Sequence, residues 1–490
     1  MLALGGAGIA VFQPPLIGLS LAAAIIGGVL LIRHPVWGIY LLVLSVPVQK
    51  EIAFGSNSAT QGVMAALLFV WWLWMAAAQR KISVPPFALA LGAYLLIMIA
   101  SLVVATSVKD GLAETARWTV VLLAYLIIVN TITTRAQIVG LLVCFVLAAG
   151  AEAALGLWQV VTRQVPPSFF VGQGHEPEDL APRAFGTIGM PNSYAGYLNL
   201  TIALALALGI YALVSGYRRW AVNGRPQLLL GAGLLALTAL MIGALVVSYS
   251  RGGYLGLGCG VTAMAVALGR RAVPALTAVM LGLVLLVGLA FTGGLPASLR
   301  DRLASIPDQL RIYDVRGIQY TPDTFNQLER LAHWQAAGSM FLLDPVLGVG
   351  IGNFNVVYPS VAVAEWPTSR GHAHNYYLHA LAETGLAGLL AYLVLLGTAL
   401  AGGWRAIRAA VRARQGFDSA VLIGAFGVVL AIMGHSVFED LHVLNMGIHW
   451  AAMIALFYVV PRSVTETSGA RAGRTQSMRP LPTWAAGATA

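Results

Sequence analysis

Charge is what this chain has least of. Only 10% of its 490 residues are Asp, Glu, Lys or Arg, against about 25% in a soluble globular protein. That scarcity excludes an ordinary cytosolic enzyme, and the 58% of apolar residues excludes a disordered chain. Cysteine is nearly missing too. Cys144 and Cys259 are the two, both inside apolar runs, which leaves no disulfide framework and no cysteine-ligated metal centre to expect. No basic stretch precedes the first apolar segment, so a cleaved signal peptide is not expected. Internal repeats of about 20–50 residues, the mark of solenoids, are missing as well.

What the chain has in abundance is long apolar runs, such as 228–247 and 281–290. About 20 apolar residues cross a bilayer core. The expected fold is therefore all-α and polytopic, with about twelve transmembrane helices. Spans are predicted near 36–49, 60–78, 86–106, 117–133, 137–161, 191–215, 227–249, 252–269, 272–293, 376–402, 419–440 and 443–460. Ahead of them, 1–32 holds two apolar arms split by Gln13-Pro14-Pro15, readable either as a further span or as a re-entrant hairpin. The organisation that follows is a first bundle over 36–293 with a loop at 162–190, a large loop at 294–375 and C-terminal spans over 376–460. A basic tail over 461–490, rich in Arg, Gly, Ser, Thr and Pro, reads as disordered.

The net charge of +10 would suggest nucleic acid in a soluble protein; in this chain it reads as topology, with no nucleic-acid partner. Basic clusters at Arg80-Lys81, Arg218-Arg219-Arg225, Arg270-Arg271, Arg405 to Arg414 and the tail fall on every second loop. Assigning those loops, with Arg33 and Arg135, to the cytoplasm follows the positive-inside rule. The inner side then carries +15 and the outer side −5. The loops 162–190 and 294–375 face outward, the second with an amphipathic helix over 328–343 that Asp344-Pro345 stops.

Eight of the nine histidines fall on that outer side. The densest constellation is Arg370-Gly-His372-Ala-His374-Asn375, where the large loop re-enters the membrane. Asn375 suits an N-cap, and Asn375, His379 and Glu383 stripe one helix face at successive turns. A carboxylate inside an apolar span is a functional candidate; the alternative is that His379 and Glu383 pair for structure. A His-x-His pair can ligate zinc, but the three or four ligands a site requires are not evident. A neutral imidazole at His374 or His372 fits a general base better, and a solvated loop histidine is the bland alternative.

Three arginines share that side. Arg251 lies in the break Ser248-Tyr-Ser-Arg-Gly-Gly253, Arg183 precedes Phe185-Gly-Thr-Ile-Gly-Met-Pro-Asn192, and Arg330 lies on the amphipathic helix one turn before His333 and Trp334. Guanidinium groups match phosphate oxygens in bidentate fashion. Gathered around a histidine, they suit a lipid-linked diphosphate whose departure they stabilise; singly, each reads as an interface anchor or ion-pair partner. Gly348-Val-Gly-Ile-Gly352 lacks the strand and βαβ context of a dinucleotide site and reads as tight turns. Glu152 is either a cavity-lining group or an arginine's partner.

Several of these stretches together carry a resemblance. Glu329-Arg-Leu-Ala-His-Trp334, Asp344 to Phe354, His372-Ala-His-Asn375 and Leu381-Ala-Glu-Thr-Gly-Leu-Ala-Gly388 resemble the C-terminal domain of the O-antigen ligase and O-antigen polymerase superfamily, and Ser250-Arg-Gly-Gly253 and Pro191-Asn192 resemble its upstream motifs. The resemblance implies a GT-C-like, metal-independent glycosyltransferase of the bacterial inner membrane with no cofactor. Such an enzyme takes a glycan from undecaprenyl diphosphate on the periplasmic or outer face and passes it to an acceptor hydroxyl. His374 matches the histidine assigned to catalysis, with His372 as assistant or bystander. Arg251 matches the arginine of the Ser-Arg-Gly break, and Arg183 and Arg330 align with the diphosphate-binding positions. The acceptor is lipid A-core or a protein in a ligase, and another lipid-linked repeat unit in a polymerase. A secondary transporter is the remaining alternative, but it would place ionisable groups near the midplane rather than at the rim and in an 80-residue loop.

Overall fold

Helix starts are written into the chain by caps and prolines. Ser58 and Thr134 each form a reciprocal capping box, with Gln61 and Gln137, and Pro stands in the first turn of three further helices, where its missing N–H costs nothing. The structure, a computed structural model, describes residues 33–49, 53–54, 57–164, 183–219, 224–269, 311–321 and 324–477 with a few single positions between them, and side chains to Ser463 in the last helix. The apolar arms of 1–32, the predicted span 272–293 and most of the loop 162–190 lie outside the described residues, as do 478–490.

The described residues form thirteen helices. They are α1 (Val36–Ser45), α2 (Ala59–Ala77), α3 (Pro86–Ser101), α4 (Val108–Thr131), α5 (Arg135–Thr162), α6 (Pro191–Arg218), α7 (Arg225–Val247), α8 (Arg251–Leu268), α9 (Phe325–Leu343), α10 (Phe354–Val361), α11 (Tyr376–Arg412), α12 (Gly416–His435) and α13 (Met446–Ser477). A two-residue hairpin, β1 (Ala53–Phe54) with β2 (Asn57–Ser58), precedes α2 and is the one strand pair among them. Seven helices, α2, α4, α5, α6, α7, α11 and α12, are long and apolar enough to cross a membrane, and α1 and α3 are shorter apolar helices. The chain is an integral membrane protein. α12 ends at His435, five residues before the predicted limit of its span, so 436–445 forms a connection of its own. α13 stays helical through Ser477, into the first part of the expected tail.

Burial separates the centre of the bundle from its rim. In their most apolar stretches α6 is 67% and α12 72% buried, whereas α7 is 28% buried; a helix that is apolar all round and enclosed is a core helix. α6 and α12 pack against each other, with α8 against α12 and α7 against α6. Small residues let α8 approach α12 closely. A Cβ on Gly256 would lie 2.7 Å from the Ala431 carbonyl oxygen, and one on Gly260 would lie 2.7 Å from that of Gly427, the small-xxx-small mode of membrane packing. That approach places Ser250-Arg251, at the head of α8, beside His435 at the end of α12, because Gly252 lies against the His435 ring.

The loop 311–375 folds over this end with its own small cores, one around Ala336, Met340, Phe354 and Tyr358 and another around Val315, Leu328, Leu331 and Trp366. It is stitched into a break in α11. At Gly385 the backbone takes φ 62, ψ −164, a conformation open essentially to glycine alone. The polar groups this break frees are taken up by the loop: Val349 N–H donates to the Ala382 carbonyl at 2.9 Å, and Leu386 N–H donates to the Pro345 carbonyl at 2.9 Å. The glycine-rich run supplies the tight turns its composition suggests, with φ of 70, 92 and 72 at Gly348, Gly350 and Gly352.

Substituting Gly385→Ala is expected to destabilise the protein by about 1–3 kcal/mol, the cost of a non-glycine residue held in a forbidden backbone region, with the Val346 carbonyl in the way of the new Cβ. Thermal unfolding of the purified protein in detergent, compared with Gly397→Ala, where the Cβ meets open space, measures it.

Candidate functional site

Two backbone connections bring the site together. Asn375 caps α11 by accepting from Leu378 N–H at 3.1 Å, as its position predicts, and Tyr376 N–H donates to the Ser436 carbonyl at 2.8 Å. The residues just before α11 are thereby pinned to those just after α12. His374, immediately before the cap, takes a left-handed backbone (φ 51), an uncommon conformation for a residue with a side chain. Its N–H donates to His372 Nδ1 at 3.0 Å, and the two rings stack edge to face at 4.4 Å.

Both imidazoles meet one carboxylate. His374 Nδ1 lies 3.3 Å and His372 Nε2 3.4 Å from Glu439 Oε1. The other oxygen, Oε2, accepts from Asn192 Nδ2 at 2.9 Å, and Asn192 Oδ1 accepts from Arg183 at 3.3 Å. Arg183 Nε also donates to the Ser248 carbonyl at 2.8 Å. A continuous polar chain thus runs from the end of α7 through the head of α6 to the α12–α13 connection and the loop histidines.

The network assigns the tautomers. His372 accepts at Nδ1, so its hydrogen is on Nε2, directed at Glu439. His374 donates from Nδ1 to the same oxygen, which leaves Nε2 with a lone pair, and that atom is buried with no hydrogen-bond partner among the described residues. His333, fully buried on α9, is fixed differently: Nδ1 bonds the Glu329 carbonyl at 2.6 Å and Nε2 accepts from Arg370 N–H at 3.1 Å. The Arg370 side chain adds an ion pair to Glu329 at 2.9 Å. His333 therefore ties the loop together and backs the His374 ring at 5.4 Å.

Electrostatics follow from this crowding. Burial, reinforced by the neighbouring His374, pushes His372 down from 6.5 to about 4, and burial pushes His333 down to about 4. Burial alone would raise the Glu439 carboxyl, but His374, His372 and the Arg330 guanidinium together outweigh it and hold that group well below the usual carboxylate range. At neutral pH the arrangement is one carboxylate beneath the neutral His372 ring and the His374 ring, with cationic side chains on its flanks.

By distance the ligand atoms of His372, His374 and Glu439 lie close enough together to hold a metal ion. The hydrogen-bond pattern does not suit one. A metal on His372 Nε2 needs the ring hydrogen on Nδ1, and Nδ1 is taken as an acceptor by the His374 amide. As arranged, the His372 tautomer suits a hydrogen bond to Glu439 and not metal ligation through Nε2.

Of the residues singled out from the sequence, His372, His374, Arg183 and Arg330 converge on Glu439. Arg251 is buried at the head of α8, behind the Ser250 cap and beside the residue that touches His435. His379 and Glu383 face elsewhere. Glu383 accepts from Gly352 N–H and Phe354 N–H, both at 2.8 Å, with His379 Nε2 at 3.5 Å, so its carboxylate clasps the glycine-rich turn and the head of α10. Glu152 holds the turn before α6 through Thr187, at 2.9 Å to its N–H and 2.6 Å to its hydroxyl. Glu439 and Asn192 are not among the site residues read from the sequence. The signal for Glu439 was the one used for Glu383, a carboxylate at the edge of an apolar span, here one helical turn after His435.

The pH dependence has a definite sign. His372 binds its proton less readily folded than unfolded, so its contribution favours the fold above about pH 6.5 and is lost on acidification toward pH 4. Glu439, whose folded pKa is depressed, likewise contributes above the ordinary carboxylate pKa and loses that contribution as pH falls. The melting temperature is expected to drop between pH 6.5 and 4.5, and His372→Asn to flatten the upper part of that drop, as read by thermal scans across a buffer series.

A sequence model of the family described as O-Antigen ligase matches residues 236–393. No curated protein matches the chain. The matched stretch holds Arg251, Arg330, His372 and His374, whereas Arg183, Asn192 and Glu439 lie outside it and are brought in by the fold. The match over residues 236–393, about a third of the chain, supports membership of the O-antigen ligase superfamily.

Proposed function

We propose that this protein is a metal-independent glycosyltransferase of the ligase type. It moves a glycan from undecaprenyl diphosphate to an acceptor hydroxyl, on lipid A-core or a similar molecule, at the periplasmic or outer face of the membrane. The observation that carries the reading is the orientation of His374: Nδ1 is held by a buried carboxylate and Nε2 is buried with its lone pair unused. A neutral imidazole so held is a general base, and the carboxylate behind it fixes the tautomer and stabilises the imidazolium that forms.

The chemistry balances with these groups alone. The acceptor hydroxyl gives its proton to His374 Nε2 as its oxygen attacks the anomeric carbon of the donor sugar. The bond from that carbon to the diphosphate oxygen breaks, and the electron pair leaves with undecaprenyl diphosphate. Arg183, Arg251 and Arg330 meet the negative charge that develops on the leaving group, and Asn192 joins Arg183 to the carboxylate behind the base. His372 keeps His374 in its left-handed conformation by accepting its amide. Trp334, half-buried on α9, flanks the approach of the glycan. A polymerase, with a second lipid-linked repeat unit as acceptor, would use the same groups.

His374→Ala is expected to abolish transfer while leaving donor binding largely intact. Glu439→Gln, which keeps the shape and removes the charge, should cost about 10²–10⁴-fold in rate. The assay is release of undecaprenyl diphosphate from a lipid-linked oligosaccharide by purified protein with EDTA present and without ATP. Near-normal release by His374→Ala would remove the base assignment, and abolition by EDTA would remove metal independence.

The acceptor is identified in hosts lacking either an O-antigen ligase or an O-antigen polymerase. Restoration of glycan on lipid A-core in the first host is the expected result; restoration of chain length in the second would make the protein a polymerase.

A further inference from the structure

The bundle has a concavity at the end remote from the histidines. A crevice of 410 Å³ opens between α5, α6, α7 and the start of α12, inside the range of small-ligand sites, about 300–1,000 Å³. Most of its wall is apolar, Val143, Leu208 and Leu234 among it, and its polar groups gather at one end, at Ser215, Arg219 and Gln227. α6 starts beside the site at Asn192 and finishes at this end, and its 28 residues place the two about 40 Å apart.

Lining and charge together define an occupant. A crevice with an apolar wall in the bilayer region is bathed by acyl chains, so its ordinary solvent is lipid. At the polar end Arg219 is exposed and cationic, with Arg218 beside it in sequence and Arg225 at the head of α7, and basic pockets between transmembrane helices on the positively charged side bind anionic head groups. Gln227 supplies an independent indication. Its Oε1 is buried without a hydrogen-bond donor, a cost that a ligand hydroxyl would remove. The donor lipid of the proposed reaction does not meet these requirements, since its diphosphate belongs at the opposite end and its isoprenoid tail has neither an anion for Arg219 nor a donor for Gln227.

We propose that this crevice binds an anionic phospholipid with a hydroxyl-bearing head group, one acyl chain along the apolar wall, the phosphate beside Arg219 and a head-group hydroxyl on Gln227 Oε1. The lipid wedges α5, α6 and α7 at the far end of the helix that presents Asn192.

Native mass spectrometry of the full chain in dodecyl maltoside tests it, with dioleoylphosphatidylglycerol and dioleoylphosphatidylcholine as probes. The expected result is preferential retention of phosphatidylglycerol, lowered about fivefold by Arg219→Ala, the worth of one basic side chain near a lipid surface. Arg408→Ala, an exposed cation at the same end but outside the crevice, should leave it unchanged. Val143→Trp, which fills the apolar wall, should remove the retained lipid. Equal retention of the two lipids, or equal behaviour of Arg219→Ala and Arg408→Ala, would overturn the proposal. So would a dimer mass that Val143→Trp abolishes while no lipid is retained, which would assign the crevice to a second copy of the chain.

Discussion

A single buried carboxylate sets the geometry of this site. Glu439 is enclosed at 5% exposure, where an unpaired charge would cost several kcal/mol, and it is stable there because both its oxygens are engaged. Oε1 takes the two loop histidines and Oε2 takes Asn192. Satisfying that one anion requires three parts of the chain, 192, 372–374 and 439, to meet. None is near another in sequence. The requirement also fixes which nitrogen of each ring carries hydrogen, so the electrostatic solution and the proton-handling arrangement are the same set of contacts.

The loop has to be held firmly for those contacts to persist, and the bundle holds it by backbone rather than by side-chain packing alone. Glu383 gathers two amides from the turn at 352–354, and the break at Gly385 offers a carbonyl and an amide that the segment 345–349 completes. In a lipid environment a broken helix is tolerated only when its freed polar groups are answered. Here the loop supplies the answer, so loop docking and the integrity of α11 are one event. Glu383 and His379 are thus bound up with support of the loop, and the carboxylate nearest the histidines comes from a different helix connection.

Much of the architecture was legible from composition and caps. The apolar runs and the prolines at 86, 191 and 226 mark helices that the structure places within a few residues, and Asn375 caps α11 as its spacing suggests. The convergence of His372, His374 and Arg183 was legible in part, because all are polar groups at the rim of an apolar chain. Glu439 escaped because the apolar run 419–440 gives no local sign that α12 ends at His435 and turns. Asn192 escaped because nothing near it in sequence points to its partner: Pro191 starts the helix, and the amide in its first turn meets a carboxylate far along the chain. Periodicity sees one helix at a time, and these two residues meet each other, and Glu439 meets the loop histidines, across more than sixty positions.

The same reasoning accounts for the strain at His374. A left-handed non-glycine residue costs about 1–3 kcal/mol and persists only where its surroundings impose it. Here the amide is fixed by His372, the next residue is locked as a helix cap, and the ring is held by Glu439 and backed by His333. Four restraints act on one residue, and together they leave one atom of its ring, Nε2, without an internal partner. His333 beside it has both nitrogens bonded to backbone. These two neighbouring rings therefore differ in kind: one has both nitrogens engaged, and the other is held open at a single atom.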